Sequence, residues 1–266
     1  MQSTIHPTAI IGQSAILGEG VSVGAYTVIE DDVEIGAGTK IWPHVHIASG
    51  ARIGGECKIY SGAVLATEPQ DLKFSGEKTY LYVGDRTVVR ECVTLNRGTM
   101  ASGKTVIGSD NLFMAYSHVG HDCVIGNHVV VANGVPFGGH CEVGDYVVIG
   151  GLAGVHQFVR IGRFSMVGAL SRATLDVPPF VMASGHEAFR FEGLNSIGLK
   201  RRGFTSGQIT LIKDAYRIIF QSGLLVANAL ERVSSELPPE PELLEILDFF
   251  SAGSHGRKFV RPFNHK

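Results

Sequence analysis

Four imidazoles stand at His118, His121, His140 and His156, and a carboxylate directly follows the second of them at Asp122. Two chemistries use such a set. One is general base catalysis, in which a histidine near its ordinary pKa of ~6.5 takes a proton at neutral pH. The other is a histidine-rich zinc site. The run Ser117-His118-Val119-Gly120-His121-Asp122 sets a base beside a carboxylate able to orient it. Read singly, a histidine is a surface or turn residue, and His6, His44, His46, His128, His186, His255 and His265 stay under that reading. The other four differ because the period of the chain gathers them.

That period is six residues. An aliphatic side chain or phenylalanine recurs at Ile5, Ile11, Leu17, Val23 and Ile29, and the beat runs on to Val167 with breaks at Asp71, Glu77 and Ala101. Such spacing fits neither a helix nor an isolated strand. It marks a parallel β-helix of hexapeptide repeats, in which three hexads complete one coil around a triangular prism. Neighbouring coils then pair as strands ~4.8 Å apart. Stacking at eighteen-residue intervals sets residue 139 over 121 and residue 140 over 122, so Asp122 and His140 are expected neighbours. It also brings the Gly139 N–H towards His121, where it can face a developing oxyanion. A base contributes ~10²–10⁴-fold in rate and one such donor ~3–4 kcal/mol. His156 fills the slot after the aliphatic residue, which glycine usually takes.

The chain has 34 glycines, and their regular recurrence argues for repeated turns against disorder. Glycine after the aliphatic residue is expected to supply left-handed corners, and Asn96 in that slot reads as a left-handed residue. Cys57, Cys123 and Cys141 share one slot meant for small side chains, which also takes Thr99; Cys92 lies outside it. No CxxC occurs, so neither a zinc cage nor a redox pair is signalled, and a reducing, cytoplasmic location is expected. A formal net charge of −2 implies no general nucleic-acid surface. No stretch reaches the ~18 apolar residues of a membrane span, and the first residues lack the pattern of a secretion signal.

Residues 1–188 are assigned to the β-helix, interrupted at about 66–82 and 97–105. The repeat ends near Pro178-Pro179, and residues 189–266 are read as a small α-helical domain. Thr205 and Gln208 form a capping box ahead of Ile209, Ile212, Tyr216, Ile219 and Phe220 at helical spacing, with Gly223 as the stop. A second helix is expected around Leu225–Val233 and a third from Leu243 to Phe250. Asp71 and Lys73 in the first interruption fit either a solvated loop or a sugar hydroxyl and an acidic group. Lys200, Arg201 and Arg202 fit a solvated face or contacts to phosphate or an acidic partner.

Several segments together resemble the UDP-N-acetylglucosamine acyltransferases: PQDLKFSGE (69–77), RECVTLNRGT (90–99), GSDNLFM (108–114), HVGHDCVIGN (118–127), GGHCEVGDY (138–146), GVHQFVRIG (154–162), DVPPF (176–180) and GLKRRGF (198–204). The resemblance covers nearly the whole chain. It implies a left-handed coil, an exception to the usual right-handed crossover, and a homotrimer with sites between prisms. The implied reaction moves a β-hydroxyacyl chain from acyl carrier protein to the 3-position of UDP-N-acetylglucosamine, the first step of lipid A biosynthesis, with no cofactor and no metal. His121 matches the family's general base, Asp122 its orienting partner and Gly139 its oxyanion donor. Asp71, Lys73, His118, His140, His156 and Gln157 match residues that hold sugar nucleotide and acyl group. Asn195 and Arg201 match nucleotide or phosphate contacts, Lys200 and Arg202 are candidates for the carrier protein, and Ala169 is the acyl-chain ruler.

Two positions depart from the family pattern. Asn96 stands where the family usually has histidine, and Ser196-Ile197 follow Asn195 where relatives often place an acid. Three other functions compete. A 3-amino sugar could be the acceptor, since one histidine base serves a hydroxyl or an amine; the pathway's own N-acyltransferase usually carries an added N-terminal domain, whereas these hexads begin at residue 5. A zinc lyase of the γ-carbonic-anhydrase type needs a second histidine five residues after the first, and after His156 that position is Ile161. A non-catalytic scaffold leaves His156 at a glycine slot unexplained.

Overall fold

The computed structural model describes residues 3–252 and 258–262; His255 and His265 lie outside them. Short strands, mostly of two residues, carry the hexad beat. Among the described residues they build three sheets of eleven, nine and eight strands, one for each face of a prism. The coils pair in parallel at eighteen-residue intervals, as in Thr4↔Ser22, His118↔Pro136 and Val124↔Glu142. The winding is that of a left-handed parallel β-helix. The beat residues point inward and form one continuous core, with Phe113 and Phe137 among its largest fully buried side chains. Ile5 is 45% exposed because the first coil has no neighbour beneath it, as solenoid ends require.

The corners differ from the sequence expectation. Left-handed backbone falls three residues after the beat, at Asp32, His44, Cys92, Asp122, His128, His140 and Tyr146, and non-glycine residues fill most of these positions. The glycines that directly follow the beat are not left-handed. They are small because the next coil lies too close: a Cβ at Gly12 would stand 2.5 Å from the Asp31 amide nitrogen, and one at Gly18 2.6 Å from that of Ala37. Left-handed rings stack from coil to coil instead, as His128 on Tyr146 at 4.6 Å and Tyr146 on Phe164 at 4.7 Å.

Asn96 is corrected by the same observation. It ends the strand Thr94–Asn96, is buried, and has no positive φ. The first interruption leaves the prism at Thr67, which pairs with Asn96 through a register shift. The Asn96 amide therefore donates to Thr67 Oγ1 at 3.0 Å and to the Glu68 carbonyl at 3.1 Å. Both interruptions are shorter than the sequence suggested, because strands Val64–Thr67, Tyr80–Val83 and Lys104–Ile107 run into them. The phase survives: Leu65 pairs with Leu95, and Val83 with Ile107. Cys57, Cys123 and Cys141 are buried and free, and Cys92 is exposed. Burial raises the thiol pKa of Cys57, which makes it an inert hydrophobe.

An antiparallel hairpin of Val181–Ser184 and Arg190–Leu194 closes the prism. Among the described residues four helices follow: α1 (Ser196–Arg201), α2 (Ser206–Gln221), α3 (Val226–Glu236) and α4 (Pro241–Ser251). Thr205 and Gln208 make the reciprocal capping box on α2. None of the described helices is long and apolar enough to cross a membrane. The helices dock on the last coils through polar ties within the apolar contact: Tyr216 donates to the Pro179 carbonyl at 2.7 Å, and Arg160 pairs with Asp176 at 2.9 Å while reaching the Phe249 carbonyl.

Glu245 on α4 is part of this seam, 3.4 Å from Arg163. Burial pushes its carboxyl up to about 7, and Arg163 offsets only part of that rise. The folded chain thus holds this proton more tightly than the unfolded chain. Its contribution to stability is complete below the ordinary carboxyl value of 4.5 and is lost as pH rises through about 7. At ~1.4 kcal/mol per unit the loss amounts to about 3 kcal/mol. Glu245→Gln should remove this slope, so that denaturation midpoints at pH 5 and pH 8 converge relative to the parent chain.

Candidate active site

The strand His118–Val119 turns at Gly120-His121-Asp122, and the next coil turns directly above it at Gly138-Gly139-His140. Asp122 and His140 occupy the left-handed positions of successive corners, a conformation that Asp and His tolerate better than most residues. This geometry turns their side chains along the outside of the prism. His140 stacks on Phe158 at 4.5 Å and meets the His121 ring edge-on at 5.1 Å.

Asp122 is the most constrained group in the cluster. Its side chain is 0% exposed. One oxygen accepts His121 Nδ1 at 2.8 Å and the Thr99 hydroxyl at 2.7 Å. The other accepts the Thr99 amide at 3.0 Å and the Ser102 hydroxyl. Burial alone would raise this carboxyl. Hydrogen bonds from Ser102, Thr99 and His121 outweigh burial and hold it below the usual carboxylate value, so it is anionic at neutral pH. An anionic acceptor at Nδ1 puts the His121 proton there and leaves the Nε2 lone pair for an incoming donor. His140 Nε2 lies 3.7 Å from Asp122, beyond hydrogen-bond range.

The His121 ring packs flat on Gly139. A Cβ on Gly139 would stand 2.6 Å from Cε1 and 2.8 Å from Nε2 of the ring. The Gly139 carbonyl accepts from Phe158, while its N–H meets no protein acceptor among the described residues. On the corner one face away, the corresponding amides are satisfied: those of Ser109 and Asn127 donate to Asn127 and Asp145 in turn. The free N–H beside the Nε2 lone pair opens into a cleft of about 490 Å³, also lined by His118, His156 and Gln157. His118 holds Thr94 Oγ1 at 2.7 Å, and burial keeps its pKa below the ordinary imidazole value, so it is neutral at pH 7.

His121, Asp122 and His140 also bring donor atoms within 4.8 Å of one another, close enough for a metal. Both Asp122 oxygens already take two hydrogen bonds each, however, which fills the acceptor capacity of a carboxylate. The cluster is organised around an oriented imidazole.

Comparison with known proteins decides the family. The model for domain 2 of UDP N-acetylglucosamine O-acyltransferases matches residues 176–258, and that for bacterial transferase hexapeptide repeats matches residues 32–67 and 104–135. The acyl-[acyl-carrier-protein]–UDP-N-acetylglucosamine O-acyltransferase of Chlorobaculum tepidum is 74% identical over 98% of both chains, and that of Xylella fastidiosa 44% identical over 93% of this chain and 94% of its own. The chain belongs to this family. A solved UDP-N-acetylglucosamine O-acyltransferase from Moraxella catarrhalis superposes with a TM-score of 0.93 at 41% identity, covering 97% of this chain and 99% of that one.

The remaining residues matched to this acyltransferase family fall into two groups. His118, His156 and Gln157 line the cleft with His121 and Gly139, and His140 abuts it. Asp71, Lys73, Asn195, Lys200, Arg201, Arg202 and Ala169 do not line it in the single chain. Asp71 accepts the Lys73 backbone amide at 3.0 Å within its own loop. Asn195 caps α1 through Gly198 and donates to the Phe164 carbonyl at 2.9 Å. Arg202 stacks on Tyr146 at 4.8 Å, and Ala169 is exposed on the corner that follows a different face of the prism.

Sequence reasoning missed Thr94, Thr99, Ser102 and Arg172. Arg172 lines the cleft from an outward strand position, where periodicity assigns only solvent. Thr99 was read as a small interior residue, and it is buried, but its hydroxyl and amide serve Asp122.

Proposed function

We propose that this acyltransferase moves a β-hydroxyacyl group from acyl carrier protein to the 3-hydroxyl of UDP-N-acetylglucosamine, the step that opens lipid A biosynthesis, and that it works in the cytoplasm. The observation that carries this reading is the His121 imidazole, oriented by Asp122 at 2.8 Å and packed on a Gly139 whose N–H has no protein acceptor among the described residues. His121 Nε2 takes the hydroxyl proton as the sugar oxygen attacks the thioester carbonyl. The carbonyl oxygen becomes an oxyanion and accepts from the Gly139 N–H. Collapse of the tetrahedral intermediate expels the carrier thiolate, which receives the proton from His121. Sugar and acyl ester are left joined, and the base is restored. His118, His140, His156 and Gln157 hold sugar and acyl group around this centre.

The working form is a homotrimer with its sites between prisms. Exposed Tyr116, Leu152 and Leu170 align along one corner, and an apolar seam of that kind favours association. Ala169 lies on the same corner, one face away from the cleft, so a neighbouring chain brings the ruler to the acyl groove. Asp71, Lys73, Asn195 and Arg201 reach the nucleotide in the same way, while Lys200 and Arg202 meet the carrier protein.

The test is purified protein with UDP-N-acetylglucosamine or its 3-amino analogue and a ladder of acylated carrier proteins, read by mass spectrometry. The expected product is an ester, cleaved by hydroxylamine, formed by a trimer of the 28.5 kDa chain. Exclusive acylation of the 3-amino sugar to a hydroxylamine-stable amide would replace the acceptor. Turnover should survive dialysis against EDTA; absence of acyl transfer together with stoichiometric zinc on metal analysis would revive the lyase reading.

A further inference from the structure

The second interruption of the β-helix folds back over Asp122. Gly98 makes the return tight enough: a Cβ there would stand 2.6 Å from the Lys104 carbonyl carbon. The loop is fastened at both ends to Tyr80, whose carbonyl accepts from the Gly98 amide at 3.1 Å and whose amide donates to the Gly103 carbonyl at 3.0 Å, and it is closed within by the Gly103 amide to the Thr99 carbonyl at 2.7 Å. Arg97 ties it further, donating to the Ala66 carbonyl at 3.1 Å and stacking on Phe74 at 5.3 Å. Three of the four donors on Asp122 come from this loop: the Thr99 amide, the Thr99 hydroxyl and the Ser102 hydroxyl.

We infer that Thr99 and Ser102 are positioning residues for the acyl transfer: they clamp the Asp122 carboxylate so that it presents one oxygen to His121 Nδ1 and fixes the proton of the base. This rests on the reading of His121 as the base. Thr99 fits no other role as well, because its hydroxyl hydrogen goes to Asp122 and its oxygen accepts from Ala101 within the same turn at 3.2 Å. The Asp122 amide is held separately, by Thr105 Oγ1 at 2.9 Å, so backbone and side chain of this residue are fixed by different partners. With two hydroxyls removed, the carboxylate keeps only the Thr99 amide and His121. It is then free to rotate about its side-chain torsions, and the imidazole loses its fixed tautomer.

The experiment compares Thr99→Val/Ser102→Ala with the parent, with Thr99→Ser, and with Asp122→Ala alone and combined with the double substitution. The expected result is a fall in kcat of about 10- to 100-fold with KM for the sugar nucleotide within about twofold. Thr99→Ser, which keeps the hydroxyl, should stay near the parent. In the Asp122→Ala background the two substitutions should cost nothing more, since residues acting through one group are not additive. Ser102→Ala alone, at an exposed turn, keeps the test open if the double variant folds poorly, and should lower kcat without moving the melting temperature. Unchanged kcat in both, an effect confined to KM, or an undiminished effect without Asp122 overturns the clamp. His121→Ala run alongside separates the two readings: if it is inactive while the clamp variants are normal, only the clamp falls; if it retains turnover, the base assignment falls and takes the clamp with it.

Discussion

His121→Ala lowers kcat by about a hundred- to ten-thousandfold while the melting temperature stays close to that of the parent chain. The two halves of this expectation come from different parts of the structure. The rate falls because Nε2 is the acceptor left to the cleft while Nδ1–H donates to Asp122. His118 holds Thr94, and His140 lies 3.7 Å from Asp122 without a hydrogen bond to it. Neither shares the orienting contact, so neither replaces His121. Stability is spared because Asp122 is not orphaned when the imidazole goes. It keeps the Thr99 amide, the Thr99 hydroxyl and the Ser102 hydroxyl, and a buried carboxylate with three donors avoids most of the penalty of an unpaired charge. Steady-state kinetics with saturating carrier thioester and a thermal melt check both halves. Turnover within tenfold of the parent would assign the proton to another group.

The β-helix was legible because its cause is repeated. The same inward position recurs from Ile5 to Val167, and a six-residue phase fits a three-sided coil and neither a helix nor an isolated strand, though it does not set the hand of the coil. Coil arithmetic also placed His121 beneath Gly139 and Asp122 beneath His140, since stacking by eighteen residues needs no knowledge of side-chain rotamers. Periodicity does not report φ. It shows that glycine follows the beat, yet the left-handed residue stands two places later, at Asp122 and His140. The glycine slot is decided by the distance to the next coil, which a single repeat does not contain. Aperiodic segments were opaque for the same reason. Nothing in RGTMASGKT reveals that the segment folds back, so Thr99 was assigned to the interior while its hydroxyl served a carboxylate twenty-three positions away. The basic run Lys200-Arg201-Arg202 and Asn195 were conspicuous in sequence, but among the described residues of one chain they do not line the cleft of the imidazoles.

Gly139→Ala is expected to lower kcat about a hundredfold or more, in the range seen when a general base is lost, with little change in folding. A methyl group there meets three atoms of the His121 ring, at 2.6, 2.8 and 3.0 Å. The backbone on either side cannot yield cheaply, because the Gly139 carbonyl accepts from Phe158 at 3.0 Å and the next amide, of His140, donates to the His121 carbonyl at 2.9 Å. The ring must therefore swing out and give up its bond to Asp122. Gly139 has no positive φ, so alanine adds no backbone strain, and the melting temperature should stay near that of the parent. The variant keeps its N–H, which makes the result informative about the ring. If the loss arises from displacing the base, Gly139→Ala costs almost nothing further once His121 is alanine, because there is no imidazole left to move. If the double substitution is much worse than His121→Ala alone, the methyl group has disturbed the oxyanion donor itself. A single variant with parental kcat would mean that substrate binding rearranges this corner, and that the contact between imidazole and glycine is absent from the reacting complex.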